Sequence, residues 1–239
     1  MKSILITGAS AGIGRATAEH FLAQGWRVGL LARNVPALKE IAAGQAGAEV
    51  LPCDVTDAAA VEAAVQGFAV KAGRLDVLFN NAGSFGTAAP IDALALTEWH
   101  AAVDVNLNGM FYAARAAFAV MRAQTPQGGR IINNGSVSAH TPRENAVSYT
   151  VTKHAITGLT KALSLDGRSL NIACGQIDIG NARTALLEEL AAKTPDTPPP
   201  MMEVRHVAEA VYSMATLPLE ANVQFMTLMA TKMPYIGRG

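Results

Sequence analysis

Strand-like apolar runs alternate with helix-like segments along most of this chain, and this alternation limits the possible folds more than any other feature. Strands that alternate with helices build parallel sheets, because a crossover must return the chain before the next strand can run in the same direction. The runs are nearly continuous in apolar residues, which is typical of strands that are buried on both faces. We therefore predict one α/β domain over residues 1–239, a doubly wound, seven-stranded parallel sheet with helices on both faces. The predicted strands are Ser3 to Thr7, Arg27 to Ala32, Glu49 to Asp54, Leu75 to Asn80, Arg130 to Asn134, Asn171 to Asp178 and Val223 to Leu228.

Local signals mark several helix ends and one loop. Gly25 is expected to close the first helix, and Asp57 is expected to cap the helix after the third strand. Thr97 is expected to cap a helix that starts at Glu98. The segment from Thr194 to Pro200 is too rich in proline for a helix or a central strand, so we predict an exposed loop there.

The charge balance argues against several classes of partner. Lysine plus arginine number 19 and aspartate plus glutamate number 19, so the formal net charge is zero, and no basic block is visible. Nucleic acid and anionic membrane surfaces are therefore poor candidates. No apolar run is long enough to span a bilayer, and Met1 and Lys2 lead directly into the first strand. We expect neither a membrane segment nor a secretion signal.

The cysteines and histidines do not form a metal or disulfide pattern. Cys53 and Cys174 lie far apart in strand-like segments and neither has a CxxC partner, so we expect buried thiols in a reducing cytoplasm. The five histidines are His20, His100, His140, His154 and His206. They do not form ligand spacings with each other or with the cysteines, so we predict no metal site.

A glycine-rich segment follows the first strand. Residues Thr7 to Gly14 read Thr-Gly-Ala-Ser-Ala-Gly-Ile-Gly and lead into the first predicted helix. Glycines let the backbone turn sharply and approach a pyrophosphate, while the helix N-terminus offers unpaired N–H groups and a partial positive charge. A tight strand-to-helix connection without a ligand is the alternative, but the position in the chain favours dinucleotide binding. The predicted contacts are Gly8, Ser10, Gly12, Ile13 and Gly14.

The end of the second strand indicates which dinucleotide is bound. NAD recognition calls for an acidic side chain at this point, to accept a hydrogen bond from the ribose 2′-hydroxyl. The chain has Ala32 instead, and Arg33 follows it. Arginine pairs well with a 2′-phosphate, so we predict NADP in preference to NAD. The alternative is an ordinary solvated arginine at the end of a strand.

Tyr149 and Lys153 suggest acid–base chemistry. They are separated by one helical turn, so a helix places both side chains on the same face. The positive charge of an ammonium group favours the phenolate form of a nearby tyrosine, which makes the phenol a better proton donor and acceptor near neutral pH. Such pairs also occur by chance, and the surrounding motifs decide how the pair is interpreted.

Taken together, these motifs resemble the classical branch of the short-chain dehydrogenase/reductase family over nearly the whole chain. The family's Thr-Gly-x-x-x-Gly-x-Gly pattern matches Thr7 to Gly14, its adenine-contacting aspartate matches Asp54, and its Asn-Asn-Ala-Gly segment matches Asn80 to Gly83. The resemblance implies the Rossmann type of doubly wound sheet. It also implies cofactor contacts from Asp54, Asn81, Ala82, Gly83, Tyr149, Lys153, Ile179 and Thr184, in addition to the contact predicted for Arg33.

The family's catalytic tetrad matches Asn106, Ser136, Tyr149 and Lys153. By resemblance, Tyr149 exchanges a proton with the substrate oxygen, Ser136 holds that oxygen, and Lys153 also holds the nicotinamide ribose. Asn106 helps to organise a water chain that returns the proton. Taken singly, each has a purely structural alternative, since asparagine can fill a gap between helices and serine can cap a loop.

The chain departs from the family pattern after the sixth strand and at its carboxyl end. The family's Pro-Gly and later threonine align with Ile179, Gly180 and Thr184, so the proline is missing. The segment Met229 to Gly239 replaces a glycine pair that is common in relatives. Its apolar residues predict that it covers a surface of its own subunit or of a neighbour.

Three segments are predicted to select the substrate: Ser84 to Thr87, His140 to Glu144, and a lid from Arg183 to Met202. Arg143 or His140 is expected to meet a polar group of the substrate. The predicted apolar wall consists of Leu186, Leu187, Leu190, Met201 and Met202.

The leading functional hypothesis is an NADP-dependent oxidoreductase that acts on a carbonyl or alcohol of a small organic molecule. The first alternative is a redox sensor that binds a dinucleotide and a protein partner without turnover. A second is an epimerase or dehydratase of the extended branch, which the glycine spacing disfavours. The resemblance also implies a homo-oligomer, a dimer or tetramer, packed through helices within Trp99 to Arg122 and Val147 to Leu165.

Overall fold

The computed structural model describes residues 1–192 and 196–236. The strands are β1 (Ser3–Thr7), β2 (Arg27–Ala32), β3 (Ala48–Pro52), β4 (Val77–Asn80), β5 (Gly129–Asn134), β6 (Ile172–Gly180), β7 (Ala182–Arg183), β8 (Met202–Glu203) and β9 (Phe225–Met229). The helices are α1 (Gly12–Ala23), α2 (Val35–Ala42), α3 (Ala58–Ala72), α4 (Leu96–Val103), α5 (Gly109–Ala123), α6 (Val147–Gly167), α7 (Ala185–Ala192) and α8 (Val204–Thr216).

Seven of these strands form one sheet in the order β3-β2-β1-β4-β5-β6-β9, and every neighbouring pair is parallel. This confirms the predicted doubly wound sheet. The chain builds outward from β1 to β3 and then returns to place β4 on the other side of β1. Ligands of such sheets bind outside the carboxyl ends of the strands at this reversal, so a crevice is expected beyond β1 and β4.

The core lies in two layers, one on each face of the sheet. On one face, α1, α2 and α8 pack on alternate residues of the central strands, around the aromatic side chains of Phe21 and Trp26. On the other face, α3 and α5 pack around Phe68 and Met121. All residues of β1 are buried, as a strand covered on both faces requires.

Several element ends differ from the sequence prediction. The third strand stops at Pro52, because the Asp54 side chain accepts a hydrogen bond from the Thr56 amide (3.0 Å) and turns the chain away from the sheet. The prediction that Thr97 caps a helix was wrong. The carbonyl of Ala95 accepts the first bonds of α4 from Glu98 and Trp99, so Thr97 lies inside the first turn.

Other end signals are confirmed. The Asp57 side chain accepts from the Ala60 amide at 3.0 Å and caps α3. Gly25 follows α1 with a φ of +75°, which glycine adopts without strain. Residues 196–200 form an irregular segment, as predicted. The prediction also covered Thr194 and Pro195, which lie outside the described residues.

Candidate active site

A cavity of about 720 Å³ opens beyond the carboxyl ends of β1, β4 and β5. It is lined by nearly all of the residues that the sequence singled out, from both the glycine-rich turn and the proposed catalytic group. Those lining it are Gly8, Ser10, Gly12, Ile13, Arg33, Asp54, Asn81, Ala82, Gly83, Ser136, Tyr149, Lys153, Ile179 and Thr184. Gly14 and Asn106 are buried just beneath this surface. The name reaction groove is used below for this cavity.

The glycine-rich turn is shaped as a cradle for an anionic group. Gly8 and Gly12 have φ values of +67° and +53°, in the left-handed region that disfavours side chains. A Cβ on Gly14 would lie 2.2 Å from the Gly8 carbonyl oxygen, so only glycine allows this close approach. Ala11 precedes α1 and supplies no side-chain cap to its first N–H groups. These free donors at the positive end of a helix fit a dinucleotide pyrophosphate.

Asn81 joins the two sides of the crevice. Its backbone N–H and that of Ala82 both donate to the Thr7 Oγ1, each at 2.9 Å. Its side-chain amide donates to the Thr7 carbonyl (3.0 Å) and accepts from Asn134 Nδ2 (2.8 Å). These bonds tie the ends of β1, β4 and β5 together, so the base of the reaction groove is held rigidly.

The far end of the groove contains Arg33 and Asp54. Their charged atoms, Nη1 and Oδ2, are 3.6 Å apart, and the Arg33 side chain is 77% exposed. The pKa of Asp54 is lowered, mainly by the hydrogen bond from the backbone N–H of Thr56 and in part by the charge of Arg33. The Cys53 thiol beside them has its pKa raised to about 11 by burial, so it stays protonated at neutral pH.

Asn106 lies in a π-helical turn, Asp104–Asn108, between α4 and α5. Its Oδ1 accepts from the Ser84 N–H (2.7 Å), and its Nδ2 donates to the Ser84 carbonyl (2.8 Å). Nδ2 also approaches the Thr152 hydroxyl at 3.4 Å. The side chain is therefore fully engaged in joining the loop after Gly83 to α6. Single-turn π helices are frequent at functional sites.

Ser136, Tyr149 and Lys153 share the central part of the groove. Tyr149 and Lys153 lie on one face of α6, and the Lys153 Nζ is 5.5 Å from the centroid of the Tyr149 ring. This ammonium is buried and donates to the Asn134 carbonyl at 2.8 Å. The Tyr149 ring packs against Phe85, with 5.0 Å between ring centroids. The Ser136 hydroxyl accepts from the Ser138 N–H (3.1 Å), which leaves its own proton to be donated into the groove.

Sequence reasoning missed a buried carboxylate behind Ser136. Asp178 Oδ1 accepts from the Ser136 backbone N–H (2.9 Å) and from Gln176 Nε2 (2.7 Å). Its Oδ2 lies 2.8 Å from His140 Nε2, whose side chain is 43% exposed. Gly135 leaves room for this carboxylate, because a Cβ at that position would lie 2.0 Å from Asp178 Oδ1. An acidic residue at the last position of a strand predicted to be buried on both faces was the available signal, because a buried carboxylate requires partners.

Asp178→Ala is expected to lower the free energy of unfolding by about 2 to 3 kcal/mol, because it leaves buried donors of Ser136 and Gln176 unpaired. Asp178→Asn keeps an oxygen acceptor at this position and is expected to lose less than half as much. Chemical denaturation of the two variants measures the difference. Equal losses would show that Asp178 does not hold these donors.

The segment after β6 reaches the groove without the family's proline. Because position 179 is isoleucine, β6 continues to pair with β9 as far as Gly180 and Met229. Asn181 then turns the chain with a φ of +54°. This turn places the Thr184 methyl group 3.2 Å from where a Cβ of Gly12 would lie. Thr184 therefore lies beside the glycine-rich turn.

Residues 1–192 and 196–236 show no sign of a metal site or of a membrane-spanning helix. In this part of the chain no group of three or more His, Cys, Asp and Glu side chains is arranged to hold a metal ion. No described helix combines the length and apolarity required to cross a membrane.

Comparison with known proteins agrees with this geometry. Residues 2–195 match the family model described as short chain dehydrogenase. The chain belongs to the short-chain dehydrogenase family. It is 36% identical over 197 residues to a 3beta-hydroxysteroid dehydrogenase of Mediterraneibacter gnavus, covering 80% of this chain and 70% of that protein. It is 33% identical to a D-threitol dehydrogenase of Mycolicibacterium smegmatis, covering 82% and 75%.

The fold is shared with solved structures more closely than the sequence. A crystal structure of a 3-ketoacyl-(acyl-carrier-protein) reductase from Brucella melitensis, complexed with NADH, superposes with a TM-score of 0.87. It is 26% identical to this short-chain dehydrogenase and covers 95% of this chain and 96% of its own. The family match ends before α8 and β9, while every predicted site residue lies within it.

Proposed function

We propose that this short-chain dehydrogenase transfers a hydride between a nicotinamide dinucleotide, preferably NADP, and a carbonyl or alcohol of a small organic substrate. The observation that carries the proposal is the convergence of Ser136, Tyr149 and Lys153 on the same groove as the glycine-rich turn. A nucleotide cradle and a proton donor in one cavity are the two parts that reversible carbonyl reduction requires.

A nicotinamide dinucleotide held by the glycine-rich turn would supply a hydride to the carbonyl carbon in the reductive direction. Tyr149 donates its phenolic proton to the carbonyl oxygen, so hydride and proton together convert the carbonyl into an alcohol. Ser136 donates a hydrogen bond to the same oxygen and stabilises the negative charge that develops there. The Lys153 ammonium, whose Nζ is 5.5 Å from the centroid of the Tyr149 ring, places a positive charge near the group that gives up the proton. Oxidation uses the same groups in reverse, with the phenolate of Tyr149 as the base.

The groove supports specific roles for the residues that hold the cofactor. The turn from Gly8 to Gly14 would hold the pyrophosphate, and Asp54 would border the adenine. Asn81, Ala82 and Gly83 line the groove and would border the ribose. Ile179 and Thr184 would border the nicotinamide, and Lys153 would also reach its ribose hydroxyls.

The preference for NADP rests on Arg33. Replacing Arg33 by serine is expected to lower kcat/KM for NADPH by at least about tenfold, because a charge-assisted contact to the 2′-phosphate is lost. The value for NADH should change much less, so the ratio of the two cofactors serves as an internal control. Steady-state kinetics with each cofactor measures the ratio. A wild-type protein that prefers NADH would contradict the assignment.

Three wider features belong to the same proposal. The segment from Arg183 to Met202, which contains α7, acts as a substrate lid, and Leu186 and Leu187 supply apolar lining to the groove. The side chain of Leu190 lies outside the described residues.

A dimer or tetramer is proposed on exposed apolar side chains of α5 and α6, Phe111 and Val151 among them. A reducing cytoplasm suits the two free, buried cysteines.

A panel of aldehydes and ketones tests the proposal. NADPH and NADH oxidation is followed by absorbance for each carbonyl compound, and the reverse reaction is followed with the matching alcohols. Saturable turnover with members of the panel is the expected result. Tight NADPH binding without turnover of any member would contradict the proposal and would favour a sensor.

A further inference from the structure

A second cavity of about 510 Å³ adjoins the reaction groove. Its walls come from the loop after Ser136, from Asn181, Leu187 and residues 197–200, and from the tail residues 233–235. Arg143, Asn181 and Leu187 line both cavities, so the two spaces meet at these side chains. A substrate whose reactive carbon lies beside Tyr149 can therefore extend into the second cavity.

Arg143 is the only charged side chain among the described residues that line the second cavity. Its Nη2 donates to Asn181 Oδ1 at 3.2 Å, and Asn181 Nδ2 donates to the Pro200 carbonyl at 3.0 Å. These bonds orient the guanidinium between the two cavities. Within the described part of the chain, Arg143 forms no ion pair, and the neighbouring Glu144 lines neither cavity.

The other charged side chains that line the reaction groove are Arg33, Asp54 and Lys153, which the proposed function assigns to the cofactor and to proton transfer. Arg33 and Asp54 face each other at the distant end, and Lys153 donates to the Asn134 carbonyl. Arg183, on the outer side of the lid, pairs with both Glu188 and Glu203. Arg143 is thus the positive charge at the substrate end of the groove that remains available to a ligand.

We propose that Arg143 binds a carboxylate of the substrate, so that the enzyme acts on carbonyl or hydroxyl compounds that carry a carboxylate on an apolar chain. The planar guanidinium offers two parallel donors to a carboxylate. Val137, Leu187, Pro198 and Met233 give the second cavity an apolar wall for the rest of the chain. The inference rests on the proposed function, because it names the substrate class of the same site.

The test uses straight-chain oxohexanoates that differ in the position of the keto group, each compared with its methyl ester, which lacks the charge. The wild-type enzyme should favour at least one acid over its ester in kcat/KM by about 10- to 100-fold. Arg143→Gln should bring this ratio close to one, mainly by raising KM for the acid, and Arg143→Lys should retain part of it. Arg168→Gln, at an exposed arginine that lines neither cavity, should keep the wild-type ratio.

The outcomes separate the two proposals. Turnover of esters and acids with equal efficiency, or an equal loss for both in Arg143→Gln, would overturn the carboxylate site and leave the oxidoreductase function intact. If no carbonyl compound is turned over, binding of hexanoate and of hexanamide is measured by calorimetry with NADPH present. Hexanoate binding that Arg143→Gln abolishes and Arg168→Gln preserves would support the site. Equal or absent binding of the two compounds would overturn it.

Discussion

Tyr149→Phe is expected to lower kcat for carbonyl reduction by about 100- to 10,000-fold, the range that a positioned general acid contributes. The substitution removes one hydroxyl and leaves the ring. The contacts of the ring with Phe85 and with the Lys153 ammonium should therefore persist. With the proton donor gone, the developing alkoxide keeps only the hydrogen bond from Ser136. Single-turnover oxidation of NADPH with the best substrate of the panel measures this loss at the chemical step.

Tyr212→Phe is the matched control, because this tyrosine packs against Phe21 and Trp26 and lines neither cavity. It should keep the wild-type rate. Fluorescence titration with NADPH and a thermal melt of Tyr149→Phe should both resemble those of the wild type, which would separate lost chemistry from lost structure. Turnover that survives the removal of the hydroxyl would refute Tyr149 as the acid.

The sequence predicted the fold well because its main determinant is local. Each strand can be recognised by a short apolar run and each crossover by a helical segment, so the parallel sheet follows from the order of the elements. The ends of elements were less predictable. The third strand ends early because the Asp54 side chain accepts a hydrogen bond from the Thr56 amide. A bond of this kind cannot be predicted from the spacing of apolar residues.

The site residues also differ in how well the sequence predicts their contacts. Tyr149 and Lys153 could be paired from the sequence because one helical turn separates them. Asp178 could not be assigned, because its partners Ser136 and His140 lie in the segment that follows another strand, β5. Asn106 was predicted to help to organise a water chain, and this role stays a prediction, whereas the bonds of its side-chain amide to the loop at Ser84 could not be foreseen. Long-range hydrogen bonds of this kind leave no periodic trace in the sequence.

The position of the carboxyl-terminal tail, which forms part of the second cavity, could not be predicted from the sequence. The sequence predicted that the apolar tail covers a surface, and the structure places Met233 against Gly180, where a Cβ would lie 2.9 Å from its sulfur. Pro234 and Tyr235 follow it along the wall of the cavity. Where a tail without helical or strand period returns to the fold depends on tertiary packing alone. The part of the predicted tail from Gly237 to Gly239 lies outside the described residues.

Gly14→Ala is expected to lower the free energy of unfolding by about 1 to 3 kcal/mol and to weaken dinucleotide binding by at least about tenfold. The added Cβ would lie 2.2 Å from the Gly8 carbonyl oxygen and 2.7 Å from Asn81 Nδ2. The Gly8 carbonyl belongs to the backbone and cannot rotate away. The turn must therefore open, which moves the first N–H groups of α1 away from the pyrophosphate position. Urea denaturation measures the stability, and fluorescence titration with NADPH measures the affinity.

Gly158→Ala gives the matched control, since Gly158 lies within α6 and an added Cβ would meet no atom within 4 Å. There the same methyl group should stabilise the protein by roughly 0.5 to 1 kcal/mol through helix propensity. NADPH affinity should stay at the wild-type value. Opposite signs for the two alanines would tie the effect to the closeness of the turn rather than to the loss of a flexible residue. If Gly14→Ala bound NADPH as tightly as the wild type, the cradle would not be the pyrophosphate site.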